Sequence, residues 1–499
     1  MPITGMILDV AQRHPDRVAV AGVDGRLTYA ELVADSRRSF AVVDALHAAQ
    51  PAPPPPAREA RGIPITAVSL ASAFHTARLV AGLAGYRAVA ATIDPRWPLD
   101  HRVAVIVATG IGLVITDGHD LAPALAARGW TGTVITLDDF RRREAATAPA
   151  PPPTVRGDDE AFLMLFSSGT TSAPKAFLKT RAHYRANVAV SAAHLEPLPG
   201  VATLAPGPVS YSLTLYAVIE CLATGGSVHV ADTFDPLETA RRVRDENITR
   251  IVAVPAVVRA LTDAARRDPA RFTTLRLVVT GGANLPQTLH DALAQVLPGV
   301  RLISYYGAAE IGFIGDSRDG DGTLISVYDG VRARIDDGSD DSESGTVWIL
   351  ADACSDGYIS ATTDAVLKGS DGWATVHDQG RMVDGRLQLI GRAGDIAVTG
   401  GHKVALPDVE RAFDGMLEAA CAVALPDPRL GTVVALVIEG DADDVPAKSA
   451  LQAWGGEHLA PQFVPRRWYR LDRLPRTVGG KIRRGETAEL VQAGRAVRL

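Results

Sequence analysis

The sequence predicts an α/β protein, with a large N-terminal domain of layered α/β subdomains plus a β-rich lobe, followed by a small α+β C-terminal domain. Three observations predict it. At 499 residues the chain exceeds the size at which one hydrophobic core stops growing, so at least two domains are expected. Apolar β-type runs alternate with helical stretches as far as about residue 320, the pattern of α/β layering. Beyond that point short strands separated by Asp/Gly turns take over, and a separable unit closes the chain.

Taken in order, the proline-rich stretches Pro51 to Pro56 and Pro149 to Pro153 lack ladder donors and read as surface loops. Between them, Ile65 to Leu70 and Leu113 to Thr116 read as buried strands, with a helical stretch over Phe74 to Ala90. Ala161 to Phe166, Val228 to Ala231, Arg250 to Val254, Leu275 to Thr280 and Arg301 to Ser304 are further β-type runs. Pro236 to Glu246, Ala256 to Arg267 and Pro286 to Leu297 read as the helices between them. Asp336 to Ser339 and Ser370 to Gly372 are turns of the β-rich lobe. In the last unit Pro407 to Met416 reads as a helix and Val433 to Ile438 as a strand, and Arg392 to Gly401 is the connector. The expected division is therefore 1–392 as the N-terminal domain, 393–396 as a hinge and 397–499 as the C-terminal domain.

Composition narrows the function. Hydrophobic residues at 47% and charged residues at 22% exclude global disorder. With 51 basic and 57 acidic residues the formal charge is −6, and no electrostatic footprint for nucleic acid or an anionic membrane stands out. Cys221, Cys354 and Cys421 are far apart and show no metal-ligand or disulfide spacing. Met1 to Arg13 lacks the pattern of a secretion signal, and no apolar run approaches the roughly 20 residues of a bilayer span. The expectation is a cytoplasmic protein with small-molecule partners.

The most informative segment is Leu165-Phe166-Ser167-Ser168-Gly169-Thr170-Thr171-Ser172-Ala173-Pro174-Lys175. An apolar strand runs into hydroxyls and glycine, closed by proline and lysine. Small residues let backbone N–H groups approach a polyanion, the hydroxyls donate hydrogen bonds, and the lysine neutralises phosphate charge. GxxxxGK(S/T) is absent, which disfavours a P-loop nucleotidase.

This segment resembles the signature of the adenylate-forming superfamily: acyl- and aryl-CoA synthetases, luciferases and nonribosomal peptide adenylation domains. The family form is Thr/Ser-Ser-Gly-Thr-Thr-Gly-x-Pro-Lys, and every position matches except Ser172, which replaces glycine. Later motifs recur in the family's order. Gly281-Gly282-Ala283 resembles the small-residue turn that packs against adenine. Tyr305-Tyr306-Gly307-Ala308-Ala309-Glu310 resembles Tyr-Gly-x-Thr-Glu, with Ala309 in place of threonine. Gly372-Trp373-Ala374-Thr375-Val376-His377-Asp378 resembles Gly-Trp-x-x-Thr-Gly-Asp, with Val376 and His377 departing from Thr-Gly. Gly391-Arg392-Ala393-Gly394-Asp395-Ile396 matches the family connector in part. Gly400-Gly401-His402-Lys403-Val404 with Asp408-Val409-Glu410 resembles the loop and helix that face the active site during thiolation. Leu474-Pro475-Arg476-Thr477-Val478-Gly479-Gly480-Lys481-Ile482-Arg483-Arg484 resembles Pro-x-Thr-x-x-Gly-Lys-Ile-x-Arg. Arg26 to Leu32 extends the resemblance to nearly the whole chain.

The resemblance implies roles. Tyr306 would stack on adenine and Glu310 would hold Mg²⁺ against the phosphates of ATP, a hard ligand for a hard cation. Asp378 would accept hydrogen bonds from the ribose hydroxyls, and Arg392 would contact the ribose or the α-phosphate. The mobile C-terminal domain would rotate about Gly394. Lys481 would bridge the attacking oxygen of the acid and the α-phosphate as charge builds there. Tyr211, Ser304, Ala308 and Ala309 fall at the family's acid pocket, whose segment Gly207 to Tyr216 has no aspartate for an α-ammonium, so an amino acid is disfavoured. The expected reaction joins a small-molecule acid to AMP with release of pyrophosphate, then passes it to CoA, an amine or a carrier protein. A diazotase that adenylates nitrite for an aryl amine, a stand-alone adenylation enzyme that loads a carrier protein, and a noncatalytic nucleotide-binding homologue are the alternatives, and the departures at Ser172, Tyr211, Ala309 and Gly394 point to a specialised biosynthetic member, of secondary metabolism.

Overall fold

The computed structural model of the chain describes residues 3–167, 174–282, 285–318, 322–336, 344–399, 402–428, 430–459, 461, 463–477 and 480–499. The first α/β layer is a sheet in the order Thr133–Thr136, Leu113–Thr116, Ile65–Ser69, Val89–Thr92, Ala161–Phe166, Ala176–Thr180. Its neighbours run parallel except the last pair, which is antiparallel. All residues of Ile65–Ser69, Val89–Thr92 and Leu113–Thr116 are buried, which is why they read as continuous apolar runs rather than alternating ones. The expected helix over Phe74 to Ala90 is too long. It spans Ala73–Leu83, and Val89–Thr92 is a central strand paired to Ile65–Ser69. A helix buried on every side and a buried strand are both unbroken apolar sequence, so periodicity does not mark the boundary between them.

The second layer centres on parallel strands in the order Arg301–Ala308, Leu277–Thr280, Arg250–Ala253, Ala202–Ala205, Ser227–Val230, Val18–Gly22. Buried Leu204, Ile251, Val278 and Leu302 pack with Val243, Val258, Leu261, Leu289 and Leu293 of the helices that cover one face. The long helix Tyr29–Ala48 begins at a capping box in which Thr28 and Glu31 satisfy each other's backbone N–H groups, a device worth about 1 kcal/mol. Arg301–Ala308 extends four residues past the expected Ser304, so the Tyr305-Tyr306-Gly307-Ala308 motif lies in a strand paired antiparallel to Gly312–Ser317.

From Gly312–Ser317 the same sheet continues through Leu324–Val327, Arg386–Arg392, Asp378–Val383, Gly345–Leu350 and Arg332–Asp336, all antiparallel. This is the expected β-rich lobe. The turn expected from Asp336 to Ser339 falls beyond Asp336 outside the described residues. After the short 3₁₀ turn Ala393–Asp395, the hairpin Ile396–Thr399/His402–Ala405 and a four-stranded sheet, Ala420–Asp427, Gly431–Glu439, Arg467–Leu471 and Val497–Arg498, form the small α+β domain. Its core holds Val409, Phe413, Leu436 and the fully buried Trp468. The helix expected over Pro407 to Met416 spans only Leu406–Ala412. Among the described residues no helix is long and apolar enough to cross a membrane, and the three cysteines are buried and free.

Candidate active site

The carboxyl ends of three strands converge on one cavity of about 720 Å³, the position where α/β sheets hold ligands because the strand ends leave a crevice. Ala161–Phe166 ends beside it and the chain returns in Ala176–Thr180; between them Ser167 N donates to Lys175 O at 2.8 Å and Lys175 N to Ser167 Oγ at 3.2 Å. The base of the hydroxyl-rich loop is thereby closed, and Ser167 and Lys175 line the cavity. Ser168, Gly169, Thr170, Thr171 and Ser172 lie outside the described residues, as do Ala283, Gly400 and Gly401.

Leu277–Thr280 delivers the Gly281-Gly282 turn. A Cβ on Gly281 would lie 2.5 Å from the ring of Tyr305, closer than carbon atoms approach, so only glycine lets this turn lie flat on the tyrosine. Gly282 has φ +80°, a left-handed conformation in which glycine carries no Cβ penalty. The side chain of Lys481 comes to this turn from the C-terminal domain: a Cβ on Gly282 would lie 4.0 Å from its Nζ. Lys481 N donates to Thr477 Oγ1 at 3.1 Å and Thr477 N to Lys481 O at 2.7 Å, which hold the loop in shape. Burial first, and the Arg392 guanidinium second, lower the pKa of the Lys481 ammonium, against the opposite pull of Asp378 and Glu310. Arg392, Asp378 and Glu310 thus all act on the Lys481 ammonium across one cleft.

Asp378 opens the strand Asp378–Val383, and both its oxygens are engaged: Tyr306 Oη donates to Oδ2 at 2.8 Å and Arg392 Nε to Oδ1 at 3.2 Å. Burial, then the Asp378 carboxylate, push the Tyr306 hydroxyl well above its ordinary pKa, so it stays a donor. His377, just before, has φ +64°. That is the left-handed region, at the very position where the sequence motif carries glycine. Its N–H donates to Thr375 Oγ1 at 2.9 Å, which helps hold the turn.

Glu310 is 7% exposed. Tyr358 Oη donates to its Oε1 at 3.1 Å, and no described residue hydrogen-bonds Oε2. Lys175 Nζ lies 5.2 Å from the centroid of the same Tyr358 ring, within cation–π range. Among the described residues no group of three His, Cys, Asp or Glu could hold a metal by itself.

Gly307, Ala308, Ala309 and Tyr211 all line the cavity. Tyr211 is the N-cap of the helix Ser212–Thr224, and burial, then Asp94, raise its hydroxyl pKa. Ser304 is buried in its strand and is not among the residues lining the cavity; the next residue, Tyr305, takes that place. Gly394 lies apart from the cavity in the Ala393–Asp395 turn, where a Cβ added to it would meet nothing within 4 Å. Asp395 beside it accepts from Arg484 Nε at 2.7 Å, and Arg484 also pairs with Glu410, which ties the connector to the C-terminal domain.

Several residues at or behind the cavity wall have no role assigned from sequence. Tyr358 lies in irregular chain and reaches Glu310 only through the fold. Trp97 packs edge-on to Phe166, centroids 5.6 Å apart, and Tyr305 edge-on to Phe313 at 4.9 Å. Tyr216 is buried, and its hydroxyl donates to Ala309 O at 2.6 Å. Lys179 did have a signal, a lone charge in an apolar strand.

The model of the family described as AMP-binding enzyme matches residues 67–359. An uncharacterized acyl-CoA ligase, YhfT of Bacillus subtilis (strain 168), is 25% identical over 99% of this chain and 99% of its own length. A feruloyl-CoA synthase of an Amycolatopsis species is 27% identical over 67% of this chain and 71% of its own. The crystal structure of ATP-bound MatB from Rhodopseudomonas palustris superposes with a TM-score of 0.85, covering 98% of this chain and 99% of that one at 20% identity, a likeness of fold.

Proposed function

The chain belongs to the AMP-binding enzyme family and is an ATP-dependent, adenylate-forming ligase of the acyl- and aryl-CoA ligase kind; on that premise we propose how its own residues divide the work. Asp378 and Arg392 hold the ribose, exchanging their mutual contact for the sugar hydroxyls, and Tyr306 backs the adenine beside Gly281 and Gly282. Lys175 and the Ser167 loop neutralise the phosphates. Glu310 fits the magnesium ion of MgATP: a buried carboxylate with one oxygen anchored and the other without a described partner, for a cation that takes its remaining ligands from phosphate and water.

A carboxylate oxygen of the acid attacks the α-phosphorus, the bond to the bridging oxygen breaks, and pyrophosphate leaves with the electron pair. Lys481 neutralises the charge shared between the attacking oxygen and the α-phosphate. The C-terminal domain, 397–499, then turns about the 393–396 hinge at Gly394, and the thiolate of CoA attacks the acyl carbon and expels AMP. Glycine absorbs the large φ/ψ change that such a hinge requires. The observation that carries this assignment is the ammonium of Lys481, brought from the small domain to Gly282 in the same cavity as Glu310, Asp378 and Arg392.

A second reading concerns the acid. Tyr216, Tyr305 and Phe313 pack ring to ring at the cavity wall below Ala309, which favours a short or flat acid and keeps nitrite, passed to an aryl amine, in contention. The test is a pyrophosphate-release panel of aliphatic acids, aromatic acids and nitrite with an aryl amine, each with and without CoA. A carboxylic acid that drives release, with thioester formed only when CoA is present, is the expected result. Release with nitrite alone among the acids would replace CoA ligation by diazotisation.

A further inference from the structure

Lys179 takes no part in the chemistry described so far. It is the single cation of the apolar strand Ala176–Thr180, and it is 1% exposed. Its Nζ donates to the main-chain carbonyl of Glu310 at 2.8 Å and to that of Ala353 at 2.7 Å. The Glu310 carbonyl also accepts from Ser355 N at 2.9 Å, while Tyr358, three residues further on, donates to the Glu310 carboxylate. Phe177, on the same strand as Lys179, forms a β-bridge with Tyr358. One ammonium thus joins the strand that follows Lys175, the turn that carries Glu310 and the 353–358 segment.

Burying an ammonium is costly, and an apolar side chain of the same length would fill this slot without that cost. The ammonium supplies something an apolar residue lacks: two directed, charge-assisted donors on the backbone that carries Glu310. We propose that Lys179 is a positioning residue for Glu310, clamping its peptide from one side while Tyr358 anchors the carboxylate from the other, so that Oε2 faces the metal-bound phosphates of ATP. This rests on the role of Glu310 in the proposed function. Groups that orient a metal-binding side chain commonly change metal affinity about 10- to 100-fold when removed, and the clamp has that character.

Two variants of the full chain test it, Lys179→Met and Tyr358→Phe. Calorimetry reads AMP affinity in EDTA and the affinity of a non-hydrolysable ATP analogue with and without Mg²⁺. Pyrophosphate release is then measured against Mg²⁺ concentration. The expected result for both variants is unchanged AMP affinity, a smaller Mg²⁺-dependent gain in analogue affinity, and a half-saturating Mg²⁺ concentration raised about 10- to 100-fold. A purely structural role would weaken AMP and the magnesium-bound analogue together, and that outcome overturns the clamp. Wild-type Mg²⁺ dependence in either variant overturns it too. Should Lys179→Met fail to fold, Lys179→Gln, which keeps a polar head without the charge-assisted donors, is read in its place with the same outcomes. Failure of the wild-type protein to release pyrophosphate with any acid would count against adenylation alone, because the binding measurements read the clamp without turnover.

Discussion

Replacing Lys481 with alanine is expected to slow pyrophosphate release about 10²- to 10³-fold, or ~2.7–4 kcal/mol, the loss seen when one preorganised donor to a charged transition state is removed. The structure separates this effect from damage to the fold. The ammonium sits against Gly282, where burial and Arg392 already disfavour its charge, so its removal relieves a cost rather than breaking a bond. The contacts that shape its loop, from Lys481 N to Thr477 Oγ1 and from Thr477 N to Lys481 O, run through the backbone and survive the substitution. Stability should therefore change by less than about 0.5 kcal/mol, and AMP affinity, which the proposed function assigns to Asp378, Arg392 and Tyr306, should hold. The assay is pyrophosphate release at saturating MgATP and acid, beside an AMP titration and a thermal melt. Thioester formation from synthetic acyl-adenylate and CoA, which bypasses the first step, should proceed in the variant. Undiminished pyrophosphate release would refute the assignment, and so would a parallel loss of AMP affinity and rate.

A Cβ at Gly281 meets the Tyr305 ring at 2.5 Å, so Gly281→Ala should cost about 1–3 kcal/mol of stability by overpacking, read from a urea melt, and Tyr305→Leu in the same chain should recover most of it. His377 is held at φ +64°, so His377→Gly should gain up to about 1 kcal/mol by relieving the left-handed strain; an unchanged denaturation midpoint would show that the turn bears no strain. Burial lowers Lys179 from its ordinary 10.5 to about 8. Between those values the unfolded chain binds a proton that the folded chain lacks, so this residue makes stability rise as pH increases through the window. At ~1.4 kcal/mol per pH unit the full difference is about 3 kcal/mol, and melts of Lys179→Met at pH 8 and pH 10 should lack that rise.

The alternation of layers, the change to short strands past about residue 320 and the separate last unit were all legible, because strands buried on both faces and Asp/Gly turns leave local marks in composition. Element ends were less so. Phe74 to Ala90 read as one helix because the buried helix Ala73–Leu83 and the central strand Val89–Thr92 are both solid apolar sequence, and only pairing with Ile65–Ser69 separates them. The same limit hid the extension of Arg301–Ala308 through the Tyr306 motif.

For the site, the chain order of motifs around Lys175, Glu310, Asp378, Arg392 and Lys481 was enough to bring the adenylation chemistry into view, since each motif is a short stretch whose residue types its chemistry demands. Which groups support them was decided only in three dimensions. Tyr358 lies 48 residues from the Glu310 carboxylate it holds, and Lys179 lies 131 residues from the carbonyl it clamps. Tyr305, rather than Ser304, lines the cavity, a choice between adjacent residues that the motif alone does not make. Local sequence dictates what each segment is able to do chemically, whereas the partners that orient it come from distant segments, and their meeting is a property of the packed sheets alone.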